Sequence, residues 1–191
     1  MAGKNLITKA EFKIYADING DSLDTHIDKL IPRISQLVKT YCRSALVDYY
    51  DDPKVEEFSG GFQTLLLKEA PIQQVLSVET SADFGRTWEE IQEYDSWWLD
   101  LKNNCVVAVS PQGFVLQPRG YRVSYLAGYE SAPEDLRLAV MDLVKYYLRN
   151  DGVAHTMKMP SPGAVQVEYI TTNNFPAHIR RILDQYVVDF T

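Results

Sequence analysis

The spacing of apolar residues changes twice along this chain, and that change constrains the fold more than any single motif. Leu23, Ile27, Leu30, Ile31, Ile34, Leu37, Val38, Tyr41, Cys42 and Ala45 recur at steps of three and four. Leu136, Ala139, Val140, Leu143, Val144, Tyr147 and Leu148 do the same. Such steps put the apolar side chains on one face of an α-helix. Between them, from Val55 to Leu126, short β-branched and aromatic runs are broken by glycine and proline. That texture belongs to strands and turns. The spacing therefore predicts an α+β fold, in which an antiparallel β-rich block is inserted into a helical bundle of two N-terminal helices, one central helix and one C-terminal helix.

The ends of these segments carry their own signals. Thr8 and Glu11 have capping-box spacing at the start of a short helix that contains Phe12, Tyr15 and Ala16, and Asn19-Gly20 ends it. Ser22 or Asp24 is suited to cap the second helix. Pro32 lies inside it, removes a backbone donor and predicts a kink, because the apolar pattern continues in phase on both sides. Strands are expected at Val55–Phe58, Leu65–Lys68, Val75–Thr80, Trp97–Leu101, Val106–Val109, Phe114–Leu116 and Tyr121–Leu126, with a hairpin tip at Phe84–Trp88. Pro133 suits the first turn of the central helix. Asn150 to Gly163, with Gly152, Pro160 and Pro162, reads as a flexible connector. Val165–Ile170 alternates as a strand does, and Asn174 and Pro176 introduce the last helix. The chain length fits one domain over residues 1–191. In that division residues 1–50 are helical, 54–128 form the β-rich insert, 132–149 the central helix, 150–164 the flexible joint and 165–191 the C-terminal strand and helix.

Charge and cysteine content exclude several classes. The formal charge is −7, whereas proteins that grip nucleic acid present a basic surface. Cys105 to Val109 is the longest apolar run, far below the roughly 20 residues that span a bilayer. Residues 1–10 hold no apolar block of signal-peptide length, so synthesis in a cytoplasm is expected. Cys42 and Cys105 sit in apolar patterns outside any CxxC motif and read as free, buried thiols.

No catalytic constellation stands out. Asp17, Asn19, Asp21 and Asp28 approach calcium-loop spacing, but Ser22 replaces the glycine and Asp28 the bidentate glutamate, so a loop and helix start is the better reading. His26, His155 and His178 are isolated from one another, without zinc spacing. Neither a GxSxG elbow nor a phosphate-binding glycine loop occurs. Glu56-Glu57 and Glu89-Glu90 would point to opposite faces of a strand and read as solvated surface. No metal, cofactor or enzymatic activity is expected. Trp97-Trp98 in an extended segment should put one ring inward and one outward, and an outward tryptophan suggests contact with something. Trp88, Trp97 and Trp98 are thus candidates for an assembly surface. A carbohydrate- or protein-binding module built on these rings, or a small hydrolase whose site forms only on folding, are the alternatives.

Several segments in order resemble the head-to-tail connector proteins of tailed bacteriophages, also called adaptors or head completion proteins. They are Leu6-Ile7-Thr8-Lys9-Ala10-Glu11, then Asp24 to Ala45 with Tyr41-Cys42-Arg43, Leu65-Leu66-Leu67-Lys68-Glu69-Ala70-Pro71-Ile72 and Val75 to Val78. Tyr121-Arg122-Val123-Ser124-Tyr125-Leu126-Ala127-Gly128-Tyr129, Pro133 to Tyr147 and Phe175-Pro176 to Tyr186 complete the series. The β insert and the stretch from Asn150 to Ile170 are longer than in compact members. The resemblance implies a virion protein of the neck, in a dodecameric ring of identical subunits beneath the portal. Such a ring extends the DNA channel, helps retain packaged DNA and offers a platform to a tail or neck protein. Double-stranded DNA would pass through it without specific binding, and an acidic tube suits that passage because each Lys or Arg contact to phosphate adds affinity. No membrane is involved. The last helix is the expected portal contact, through Phe175, His178, Ile179, Arg180, Arg181, Ile182, Leu183 and Tyr186. Its basic residues would steer it toward an acidic partner.

Overall fold

A computed structural model describes residues 3–149, 155–158, 165–168 and 175–188. The described chain is α+β, and it divides into two compact units. One is formed by the segments 1–43 and 131–187, and the other is built on Ser44–Glu130.

The first unit contains α1 (Lys9–Ala16), α2 (Asp24–Cys42), α3 (Glu134–Arg149) and α4 (Ala177–Leu183). The capping box at α1 is complete. Thr8 Oγ1 accepts the Glu11 N–H at 3.2 Å, and the Thr8 N–H donates to Glu11 Oε2 at 2.7 Å. Glu11 also reaches α3, where its Oε1 meets Arg137 at 2.7 Å. The carboxyl of Glu11 is held below its ordinary value by the Thr8 N–H first, against a smaller opposing effect of burial. The start of α2 differs from expectation. Leu23 is the cap residue, and its apolar side chain can make no cap bond, while the Asp24 carboxylate is taken by Lys13 at 2.8 Å and Lys9 at 3.4 Å. The helix runs unbroken through Pro32, which is exposed, while Ile27, Ile31, Ile34, Val38 and Cys42 are buried. The helix stops at Cys42, short of Ala45, because Arg43 turns left-handed at φ 53°.

On α3 Leu136, Ala139, Val140, Leu143 and Val144 of the stripe expected from spacing are buried, and its last members, Tyr147 and Leu148, are half-buried. β8 (His155–Lys158) pairs antiparallel with β9 (Val165–Glu168), His155 opposite Glu168. β8 lies inside the stretch read as a flexible connector, where no strand was expected. Its four residues pair with residues seven to thirteen positions further on, which local composition does not reveal. The rest of 150–164, and Asn174, lie outside the described residues.

The second unit holds two antiparallel sheets. β1 (Lys54–Phe58), β7 (Tyr121–Ala127), β3 (Ile72–Thr80) and β4 (Glu89–Glu90) form one, in the order β1-β7-β3-β4. β2 (Thr64–Leu66), β6 (Cys105–Ala108) and β5 (Trp97–Asp100) form the other, in the order β2-β6-β5. Their inner residues share one core, including Leu65, Val78, Trp97, Val106, Val123 and Tyr125. Phe114–Leu116 is not a strand. The Phe114 N–H bonds Phe62 O at 2.9 Å and the Val115 N–H bonds Tyr121 Oη at 2.9 Å, so this segment is a loop tied to Phe62 and Tyr121. The expected hairpin tip is a turn organised by Asp83, whose Oδ1 accepts the N–H groups of Arg86 and Thr87 at 2.9 and 2.8 Å. These bonds, led by that of Thr87, hold the Asp83 carboxyl far below its ordinary value.

Gly128 closes the insert. Its φ is +93°, and a Cβ there would come 2.2 Å from Leu46 O. Its N–H donates to Pro71 O at 2.8 Å, and the next N–H, of Tyr129, donates to Leu46 O at 2.7 Å. Only glycine combines that backbone angle with so close an approach.

Candidate assembly surface

Seven residues are too few for a helix to persist alone in water, so α4 depends on what it buries. Phe175, Ile179 and Leu183, four residues apart, supply that face, and all three are buried. The Phe175 ring meets Tyr41 edge-on at 5.2 Å, and Leu183 O lies 3.8 Å from the Cys42 thiol. Two phenols pin the end of the helix: Tyr41 donates to Asp184 Oδ1 and Tyr186 to Asp135 Oδ1, each at 2.5 Å. The Asp184 bond raises the Tyr41 phenol above its ordinary value, and burial adds to it. Burial pushes the Cys42 thiol up to about 12, with the Asp184 charge contributing.

The eight residues expected to form one partner surface are therefore divided. Phe175, Ile179 and Leu183 lie in the core of their own unit. His178, Arg180 and Arg181 are exposed, and Ile182 and Tyr186 are half-buried. Spacing alone identifies the apolar stripe but cannot say whether its partner is in the same chain. What remains outward on α4 is basic, in a chain whose net charge is −7.

The tryptophans are separated as the alternation of a strand requires. Trp97 is 5% exposed and its indole N–H bonds Ile91 O at 2.9 Å, whereas Trp98 is 41% exposed. Trp88 is half-buried beneath the Arg122 guanidinium, 4.5 Å from the ring centre, and Arg122 in turn pairs with Glu79 at 2.6 Å. A sugar platform needs coplanar exposed rings; with Trp97 in the core and Trp88 covered, these three do not form one.

One polar cluster went unseen in the sequence. Glu56, expected at the surface, is buried, while Glu57 beside it pairs with Arg119 at 2.7 Å on the other face. Tyr125 donates to Glu56 Oε1 at 2.7 Å, and Lys54 reaches Glu56 at 3.1 Å and Glu69 at 2.8 Å. Glu69 Oε2 accepts from Ser44 Oγ at 2.9 Å and from the Ala45 N–H at 2.7 Å. Burial acts to lower the Lys54 pKa, but the Glu69 and Glu56 carboxylates outweigh it and the net shift is upward. Burial and the Glu56 bond raise the Tyr125 phenol. The cluster ties residues 44–46 to the sheet of β1 and β7, and within it Glu56 Oε2 is buried without a hydrogen-bond partner.

The acids near the start of α2 meet lysines: Lys13 pairs with Asp21 and Asp24, and Lys9 with Asp28. Among the described residues no group of three or more His, Cys, Asp or Glu is arranged to hold a metal ion. Cys42 and Cys105 are free and buried, as expected. No described helix is long and apolar enough to cross a membrane.

The family model for head completion proteins matches residues 5–187. This chain belongs to the head completion protein family. Solved structures share the fold. A chain from the neck of an empty gene transfer agent particle, computed with C6 symmetry, aligns with a TM-score of 0.65 at 15% identity, over 97% of this chain and 91% of that one. A chain from the virion of the native gene transfer agent particle gives 0.63 at 16% identity, over 97% and 91%. A chain from the native neck computed with C12 symmetry gives 0.55 at 15%, over 100% and 97%. No curated protein matches this sequence.

Proposed function

We propose that this head completion protein is a structural, non-enzymatic adaptor in the neck of a tailed-phage-type particle, made in the host cytoplasm and built into the virion between head and tail. Residues 1–191 act as one connector domain. Copies form a ring, dodecameric in this reading, beneath the portal, where they extend the DNA channel, help retain packaged DNA and offer a platform to a tail or neck protein. The observation that carries the reading is the family match over residues 5–187. The likeness to neck chains, which covers nearly all of both partners, supports it. So does the net charge of −7, which suits DNA passage without tight phosphate contact.

The portal contact in this reading falls on the outward side of α4: His178, Arg180 and Arg181, with Ile182 and Tyr186 at its margin. Their charge suits an acidic portal surface. Electron microscopy of the chain mixed with its portal is the test. A ring stacked on the portal is expected, and portal particles that stay bare at saturating chain would refute the reading.

A further inference from the structure

One side of α2 is buried and the other is not. Ile27, Ile31, Ile34 and Val38 lie in the core of the first unit at 3% exposure or less. Successive helix positions turn by about 100°, which puts Thr25, Lys29, Pro32, Arg33, Gln36 and Thr40 on the opposite side. All six are exposed.

The cations on this side are unspent. Elsewhere in the unit Lys9 pairs with Asp28 at 3.0 Å, Lys13 with Asp24 at 2.8 Å and Arg137 with Glu11 at 2.7 Å. Lys29 and Arg33 make no ion pair with any described residue. No acid occurs in the sequence between Asp28 and Asp48. The two cations stand four residues apart, about 6 Å along the helix axis.

Two features select the occupant. Aligned, unpaired cations favour a polyanion, and double-stranded DNA presents one phosphate charge for about every 1.7 Å of its axis. An acidic protein would also answer the charge, but a protein contact is anchored by large apolar or aromatic side chains. None of the large apolar residues between Asp24 and Cys42 is exposed. Phosphate contacts carry no base information, so they serve a duplex of any sequence that moves past. Two cations per copy, in a chain at −7, touch the backbone without gripping it.

We infer that the outer side of α2 is the surface that faces packaged double-stranded DNA, with Lys29 and Arg33 as its phosphate contacts. The inference rests on the adaptor reading and adds to it the face of the chain that meets the DNA. The experiment uses the full chain in assembled, DNA-filled particles. Gln36→p-azidophenylalanine, irradiated and digested with nuclease, should yield peptides of this chain that carry nucleotides. In the unsubstituted chain, acylation of Lys29 by an amine-reactive ester, read by mass spectrometry, should be at least fivefold slower in filled particles than in particles emptied of DNA. Adducts of Gln36→p-azidophenylalanine with a protein, no adduct although the chain is in the neck, or a Lys29 equally reactive or equally protected in filled and emptied particles would each overturn the inference while sparing the adaptor reading. Absence of the chain from the neck would overturn both.

Discussion

Leu183→Ala asks whether α4 belongs to its own unit or is held in reserve for a partner. Leu183 is fully buried, and its carbonyl lies against the Cys42 thiol. Truncating a leucine in such a site removes its transfer energy and leaves a cavity, at a cost of about 3 kcal/mol within a range of roughly 2–5. The two units can be followed separately. All three tryptophans, Trp88, Trp97 and Trp98, lie in Ser44–Glu130, so their fluorescence reports that unit, while helical ellipticity is dominated by α1 to α4. With a urea m-value of about 1.5 kcal/mol/M, the ellipticity midpoint should fall by about 2 M. Arg181→Glu, on the exposed side of the same helix, should stay within about 0.5 kcal/mol of the parent. If Leu183→Ala moves the midpoint by less than about 0.3 M, α4 is not anchored by its apolar face, and the whole stripe becomes available to a partner.

Glu69→Ala removes one of the two carboxylates that hold Lys54 and strands Ser44 Oγ and the Ala45 N–H in a buried site, and should destabilise the second unit by about 3 kcal/mol, read from tryptophan fluorescence in denaturant. Gly128→Ala meets both a left-handed backbone and the Leu46 carbonyl, and should cost about 2 kcal/mol or more; a thermal midpoint equal to the parent's would contradict the geometry. Native protein at neutral pH should show almost no thiol reactive toward a disulfide reagent, and two per chain once unfolded; prompt labelling of the native chain would show that Cys42 or Cys105 is accessible. Because the folded Cys42 thiol is raised to about 12, its neutral form favours the folded state; that contribution is complete below the unfolded value near 9 and is lost as pH rises from there toward 12. Cys42→Ala should flatten the alkaline part of the stability profile, measured by denaturation at each pH.

Local chemistry carried much of this protein into view. Thr8 and Glu11 cap α1 because a capping box needs only residues three apart, and Trp97 and Trp98 take opposite sides of a strand because the pleat demands it. Most of the apolar stripes of α2 and α3 is buried where the period puts it, with Leu23 exposed at the start of α2, and the β-rich insert lies between them in the chain. Partnership was different. Nothing within the segment from Lys54 to Glu57 says that Glu56 will be buried against Lys54 and Tyr125, since the phenol arrives from β7, 69 residues later. Phe114–Leu116 has strand composition, yet its N–H groups go to Phe62 and Tyr121. His155–Lys158 has little strand character and pairs with Val165–Glu168 all the same. The α4 stripe was legible as apolar, but only tertiary packing directed Phe175, Ile179 and Leu183 into their own chain and left His178, Arg180 and Arg181 outside. Period and capping are energies of neighbouring residues and can be read along the chain. Burial of a charge, the choice of a β partner and the side an apolar face seeks are energies of residues brought together from afar, and those were decided by the fold.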